Sequence, residues 1–235
     1  MKRTAILLFA FALLFSCNNK NKESDKTYDS WKMEMAEIRK DHSEALSILT
    51  GFEKKIDTHK ERLKEFASYI DGSKKEIATL RAKKKQKEAS ALEKKIIESA
   101  DKNMKKHIHF VSFLDNLMAA QGTFEGKKFN LIPVPEDNAV TKFNSLDDAI
   151  AFWMKEKNNI NTGHDKALSI IMDLKNHIHQ HQAEIKAFSE KIANQKGQNV
   201  TPELEDNYKE NKKKYDEFVP LLKSLKQIQQ QFEGK

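Results

Sequence analysis

The side chains best equipped for chemistry in this chain are imidazoles. Histidines stand at 42, 59, 107, 109, 164, 177, 179 and 181, against a single cysteine, Cys17. His177 and His181 are four residues apart, so on a helix they share a face as metal-binding pairs do. His107 and His109 add a His-x-His on another stretch. Zinc and copper accept such ligands, and a metal or haem site built here uses His42, His164, His177 and His181. There is no Glu-x-x-His of the di-iron bundles and no Cys-x-x-Cys-His for covalent haem attachment. The competing reading makes the histidines polar seam residues that set helix register at some expense in stability. A pH response through the same rings is a further expectation.

Catalysis has little footing. The chain has no Gly-x-Ser-x-Gly, no Gly-rich phosphate loop and no His-Glu-x-x-His. Asp147 and Asp148 follow Ser145 and read as first-turn charges favoured by a helix dipole. The reading is therefore non-enzymatic.

An internal duplication positions the histidines. The two tryptophans, Trp31 and Trp153, are 122 residues apart, and sliding the chain by that offset pairs 31–70 with 153–192 at 13 identities in 40. Ordinary residue usage gives about two or three. His42 falls on His164 and His59 on His181, whereas His177 falls on Lys55. A second match, at offset 108, pairs Asn103, Lys105, Lys106, Phe110, Val111, Leu114 and Leu117 with Asn211, Lys213, Lys214, Phe218, Val219, Leu222 and Leu225. The offsets differ by 14 residues, two heptads, which changes helix length while nearly preserving the buried face. The repeating unit is a helical hairpin.

From Trp31 to Ile70 the apolar positions, with His42 and His59 among them, alternate in steps of four and three, the seam of a coiled-coil-like helix. If the repeats pack in parallel, His42 meets His164 and His59 meets His181, at levels about 25 Å apart. Asp71-Gly72-Ser73 is expected to break the first hairpin, with Ser73 and Glu76 at capping-box spacing. Thr201 and Pro202 start the last helix, and Pro220 is expected to bend it. Residues 81–88 (RAKKKQKE) cannot bury a face and form a projecting, solvated tip. The stretch 119–144, with two glycines, two prolines and the patch FNLIPV, reads as a crossover and, like the tip, a contact surface. The fold class is all-α: an elongated antiparallel helical bundle of two tandem hairpins, 31–118 and 145–235.

The start of the chain carries an address. Lys2 and Arg3 precede an apolar run at 5–15, too short to span a bilayer, which needs about 20 residues. The run ends Leu14-Phe15-Ser16-Cys17, which resembles the lipobox of bacterial lipoproteins. That resemblance implies that 1–16 is a signal peptide and that Cys17 becomes the acylated first residue, anchored firmly by several chains. Asn18 at the next position implies, by the same resemblance, the outer membrane. Residues 17–30 are polar and read as a flexible tether. With only one cysteine, no disulfide can form within the chain.

The formal charge is +7 from 42 basic and 35 acidic groups; removing Lys2 and Arg3 leaves +5. So mixed a surface is not a nucleic-acid footprint. The expected partners are the bilayer, through Cys17, and an envelope protein or polymer.

Overall fold

The computed structural model describes the backbone at residues 2–135 and 142–233, and side chains from residue 22 onward except at 157, 158, 160 and 233. The lipobox and Cys17 fall outside the described side chains, and part of the expected crossover, 136–141, lies outside the described residues altogether. The fold is all-α. Four long helices, α1 (Lys2–Ala82), α2 (Gln86–Gln121), α3 (Leu146–Asn194) and α4 (Pro202–Glu233), are joined by short turns and by one crossover that opens with a 3-10 turn (Gly122–Glu125). Among the described residues there is no strand, and no helix is long and apolar enough to cross a membrane.

The helix starts follow local chemistry. Thr201 Oγ1 accepts from the Leu204 amide at 3.3 Å, with Pro202 in the first turn where its missing N–H costs nothing. Ser145 Oγ accepts from the Asp148 amide at 3.1 Å, and Asp147 and Asp148 occupy the first turn of α3.

The expected break at Asp71-Gly72-Ser73 does not occur: α1 runs on to Ala82, and Ser73 is buried inside it. The reason is the seam. Ile70, Ile77 and Leu80 pack into one core cluster and buried Ser73 keeps the three-and-four spacing between them, whereas Gly72 lies on the exposed side. Burial along that face outweighs the roughly 1 kcal/mol a mid-helix glycine costs. The chain reverses instead at Lys83–Lys85, where Lys84 adopts a left-handed φ of 58° within the expected lysine-rich tip.

Residues 22–30 also differ from the tether expected of 17–30. They are helical, with Tyr28 1% exposed. The Tyr28 hydroxyl donates to the Asn199 carbonyl at 3.2 Å, and Asp25 Oδ1 accepts from the Gly197 amide at 2.9 Å. Gly197 has φ 86°, a left-handed conformation that glycine adopts at little cost in the turn after α3. Polarity misled here because only one residue in four of this segment needs to face inward.

Two compact units divide the chain, and α1, α3 and α4 contribute to both. The first comprises Met1–Leu46 and Lys175–Leu222. Its core gathers Tyr28, Trp31, Met35, Ile185, Phe188 and Leu204. Trp31 stacks on Tyr208 at 4.7 Å and leans on Phe188 at 5.8 Å. The second comprises Ser47–Leu174 and Lys223–Lys235. There Trp153 meets Phe66 edge-on at 5.1 Å, over a cluster that includes Ile77, Ile96 and Met104. In each unit, α1 and α3 run antiparallel: Trp31 faces Phe188 in the first, and Phe66 faces Trp153 in the second.

In the second unit the crossover is clamped by Asn116, which is fully buried. Its amide nitrogen donates to the Ile132 carbonyl at 2.9 Å and its oxygen accepts from the Ile132 amide at 2.8 Å. Of the patch FNLIPV, Leu131 and Ile132 remain 39% exposed.

A Cβ at Gly72 meets nothing within 4 Å. Gly72→Ala is therefore expected to stabilise the chain by about 0.5–1 kcal/mol in urea unfolding. A loss of stability would instead place a chain reversal at 71–73.

Candidate functional site

The seam brings the histidines together, in pairs different from those expected of parallel repeats. In the first unit, His42 on α1 lies edge-on to His181 on α3, ring centres 4.8 Å apart, and edge-on to Phe218 on α4 at 4.6 Å. His42 is completely buried, and neither of its ring nitrogens has a hydrogen-bond partner. His181 makes a hydrogen bond with the Asn211 backbone, while its Nε2 and the Asn211 side-chain oxygen have none.

In the second unit, His59 on α1 and His164 on α3 share a hydrogen bond of 3.0 Å between Nδ1 and Nε2. One ring donates and the other accepts, so the pair holds complementary tautomers. Phe110 on α2 stacks on His59 at 3.8 Å and 9° and lies against His164 at 4.7 Å. His107 is stacked 6.1 Å from His59, sets its Nε2 3.5 Å from the Glu156 carboxylate and lies edge-on to Trp153. One residue before His164, Gly163 brings the α3 backbone close to α2, where an added Cβ would meet Leu114 at 3.1 Å.

The two clusters are copies of one arrangement. His42, His181 and Phe218 correspond under the sequence repeat to His164, His59 and Phe110. The parallel register is thus corrected: His42 meets His181 and His59 meets His164, because α1 and α3 are antiparallel in each unit. A seam of identical spacing packs either way, so periodicity alone does not choose.

The four-histidine set is divided by this arrangement. His42 and His181 are together, His164 belongs to the other unit beside His59, and His177 is exposed on α3 one turn before His181. Among the described residues, no group of three or more His, Cys, Asp or Glu is placed to hold a metal ion. His59 was recognised as a seam residue but not as a neighbour of His164; His107 stood out only for its His-x-His spacing with His109, and Asn211 only as a repeat match of Asn103.

Burial governs the electrostatics. It lowers His42 to about 4, aided by His181 and opposed by Asp41. It lowers His59 to about 3, aided by His164, His107 and Arg62. His107 and His181 are also lowered by burial, against the pull of Glu156 and Glu184 respectively. At neutral pH His42 and His59 are neutral, far from the protonation balance a general acid or base needs.

No family model, curated protein or solved structure matches the chain.

Both rings lie below the ordinary value of 6.5, so the unfolded chain takes up protons first. Stability is complete above pH 6.5 and is lost as pH falls towards about 4 for His42 and about 3 for His59. The melting midpoint should fall on that acid limb. His42→Leu should flatten it without lowering the midpoint at pH 7, since an apolar group replaces an unpartnered one. A large fall at pH 7 would mean that the ring has a partner the fold requires.

Proposed function

We propose that this chain is a bacterial envelope lipoprotein, held to the outer membrane by acyl chains on Cys17, that works by binding and not by catalysis. The observation that carries this reading is Leu14-Phe15-Ser16-Cys17 behind a short apolar run, with no other cysteine in the chain. The geometry supports the second half of the reading. His42 and His59 are neutral rings packed between helices, which favours the surface as the working part. The partner is an envelope protein or polymer met by that surface.

A second reading, cation binding, has one observation in its favour. His42 keeps both ring nitrogens without a partner, His181 keeps Nε2, and Asn211 adds an amide oxygen. Imidazole nitrogens suit zinc or copper. The candidate ligands are then His42 and His181, with His177 and His164 outside the set.

Two measurements test these readings. Cys17→Ser should abolish incorporation of labelled fatty acid and move the protein out of the membrane fraction; a variant still in the membrane and still acylated would overturn the anchor. Zinc or copper(I) should raise the melting midpoint of the wild type and not of His181→Ala; equal midpoints with and without metal would remove the second reading.

A further inference from the structure

The repeat offers an internal comparison in which one fold element appears twice with different charge. In the first unit, a groove between α3 and α4 is lined by Glu184, Phe188, Asn207, Glu210, Asn211 and Lys214. Its two cations are neutralised. Lys214 Nζ lies 2.7 Å from Glu184 and 3.1 Å from Glu210, and Lys191, also in the lining, pairs with Glu203 at 3.4 Å.

In the second unit, the corresponding groove lies between α1 and α2, lined by Arg62, Phe66, Lys95, Ser99, Asn103 and Lys106. Residue for residue, Arg62 replaces Glu184, Lys95 replaces Glu203 and Lys102 replaces Glu210, while Lys106 matches Lys214. Three carboxylates have become three cations. One acid, Glu65, lines this groove where Ala187 lines the other.

The groove opens, across Arg62 and Lys106, into a cavity of about 500 Å³. Its walls are basic: Lys54, Lys55, Arg62, Lys105 and Lys106, with no carboxylate among the lining residues. Lys54, Arg62 and Lys106 are exposed and have no ion pair among the described residues. Its floor is aromatic, formed by Phe110, Phe113 and Phe232 with His59. Lys55 donates to the Phe232 carbonyl at 3.0 Å, which fixes one wall.

We infer that this cavity binds a phosphorylated amphiphile, its phosphate held by Arg62, Lys106 and Lys54 and its apolar body laid on Phe110, Phe113 and Phe232. The volume falls in the range of small-ligand sites, which combine an apolar lining with a few convergent polar groups. Arg presents a planar fork that grips phosphate oxygens in pairs, and the lysines add charge for a doubly charged head. No carboxylate is among the residues lining this cavity, so an anion that enters meets positive charge of the kind Glu184 and Glu210 cancel on Lys214 in the sister groove. This names a ligand chemistry for the binding role proposed above and rests on that role, but not on the anchor.

The test is calorimetric titration of the full purified chain in nonionic detergent with n-octyl phosphate, after subtraction of a micelle-only titration. Inorganic phosphate and octyltrimethylammonium serve as comparison ligands. The expected result is saturable, salt-sensitive binding of octyl phosphate, at least about tenfold tighter than inorganic phosphate, with none of the ammonium. Arg62→Glu with Lys102→Glu restores the two carboxylates that neutralise Lys214 in the sister groove, so that Lys106 gains the partners Lys214 has. This variant should melt at or above the wild-type temperature and bind at least about tenfold more weakly. If it does not fold, Lys54→Gln with Arg62→Gln reads the same loss. No binding of octyl phosphate, unchanged binding in the folded variants, or equal binding of inorganic phosphate would overturn the inference. Because none of these readouts depends on acylation, failure here and failure of the lipid anchor are told apart.

Discussion

Imidazole rings buried on the seam between antiparallel helices are the constraint around which the rest is arranged. A ring at such a position loses water, which favours its neutral form and makes ring neighbours good company for it. That is what surrounds them: Phe218 and His181 about His42, Phe110 and His164 about His59. Edge-on and stacked contacts recover part of what hydration gave, and in the second unit a shared proton recovers more. The first unit has no such bond between its two histidines, and His42 is left with dispersion and ring contacts alone. Two copies of one motif therefore satisfy the same polar burden to different degrees.

Much of this was legible in the sequence, and the remainder was hidden for identifiable reasons. The three-and-four spacing from Trp31 to Ile70 located the buried face, with His59 and Leu63 half-buried and the others fully so. Thr201, Pro202 and Ser145 act as expected because capping is local chemistry. Asp71-Gly72-Ser73 was misleading because turn propensity is also local, and a continued apolar seam prevails over it. Tyr28 was missed because a single aromatic in a polar stretch has no period to reveal it, and its partners lie some 170 residues away. Helix direction was beyond reach: an evenly spaced seam reads alike from both ends. The choice of direction decided which histidines met, and so which ligand set was possible.

The duplication is informative at a second level, in what the copies do not share. Core positions kept their character, as Trp31 and Trp153 with Phe188 and Phe66 show. The rims of the two grooves did not. Glu184 and Glu210 close one upon Lys214, whereas Arg62 and Lys102 stand where those acids would be. Exposed charges contribute little to stability, so such reversals are tolerated by the fold and leave ligand preference free to change. Core and rim thus answer to different demands within one chain.

The left-handed bend at Lys84 has a consequence for growth of the fold. Beside it, Ile77 and Leu80 of α1 share one core cluster with Ala89, Leu92 and Ile96 of α2, while Lys83, Lys84 and Lys85 of the turn are exposed. Fourteen residues separate the two repeat offsets, a whole number of heptads, so the arm that ends at this bend could have lengthened or shortened between copies without disturbing the pattern beneath. An engineer could use the same hinge point as a splice site, adding sevens of residues to set how far the arm extends.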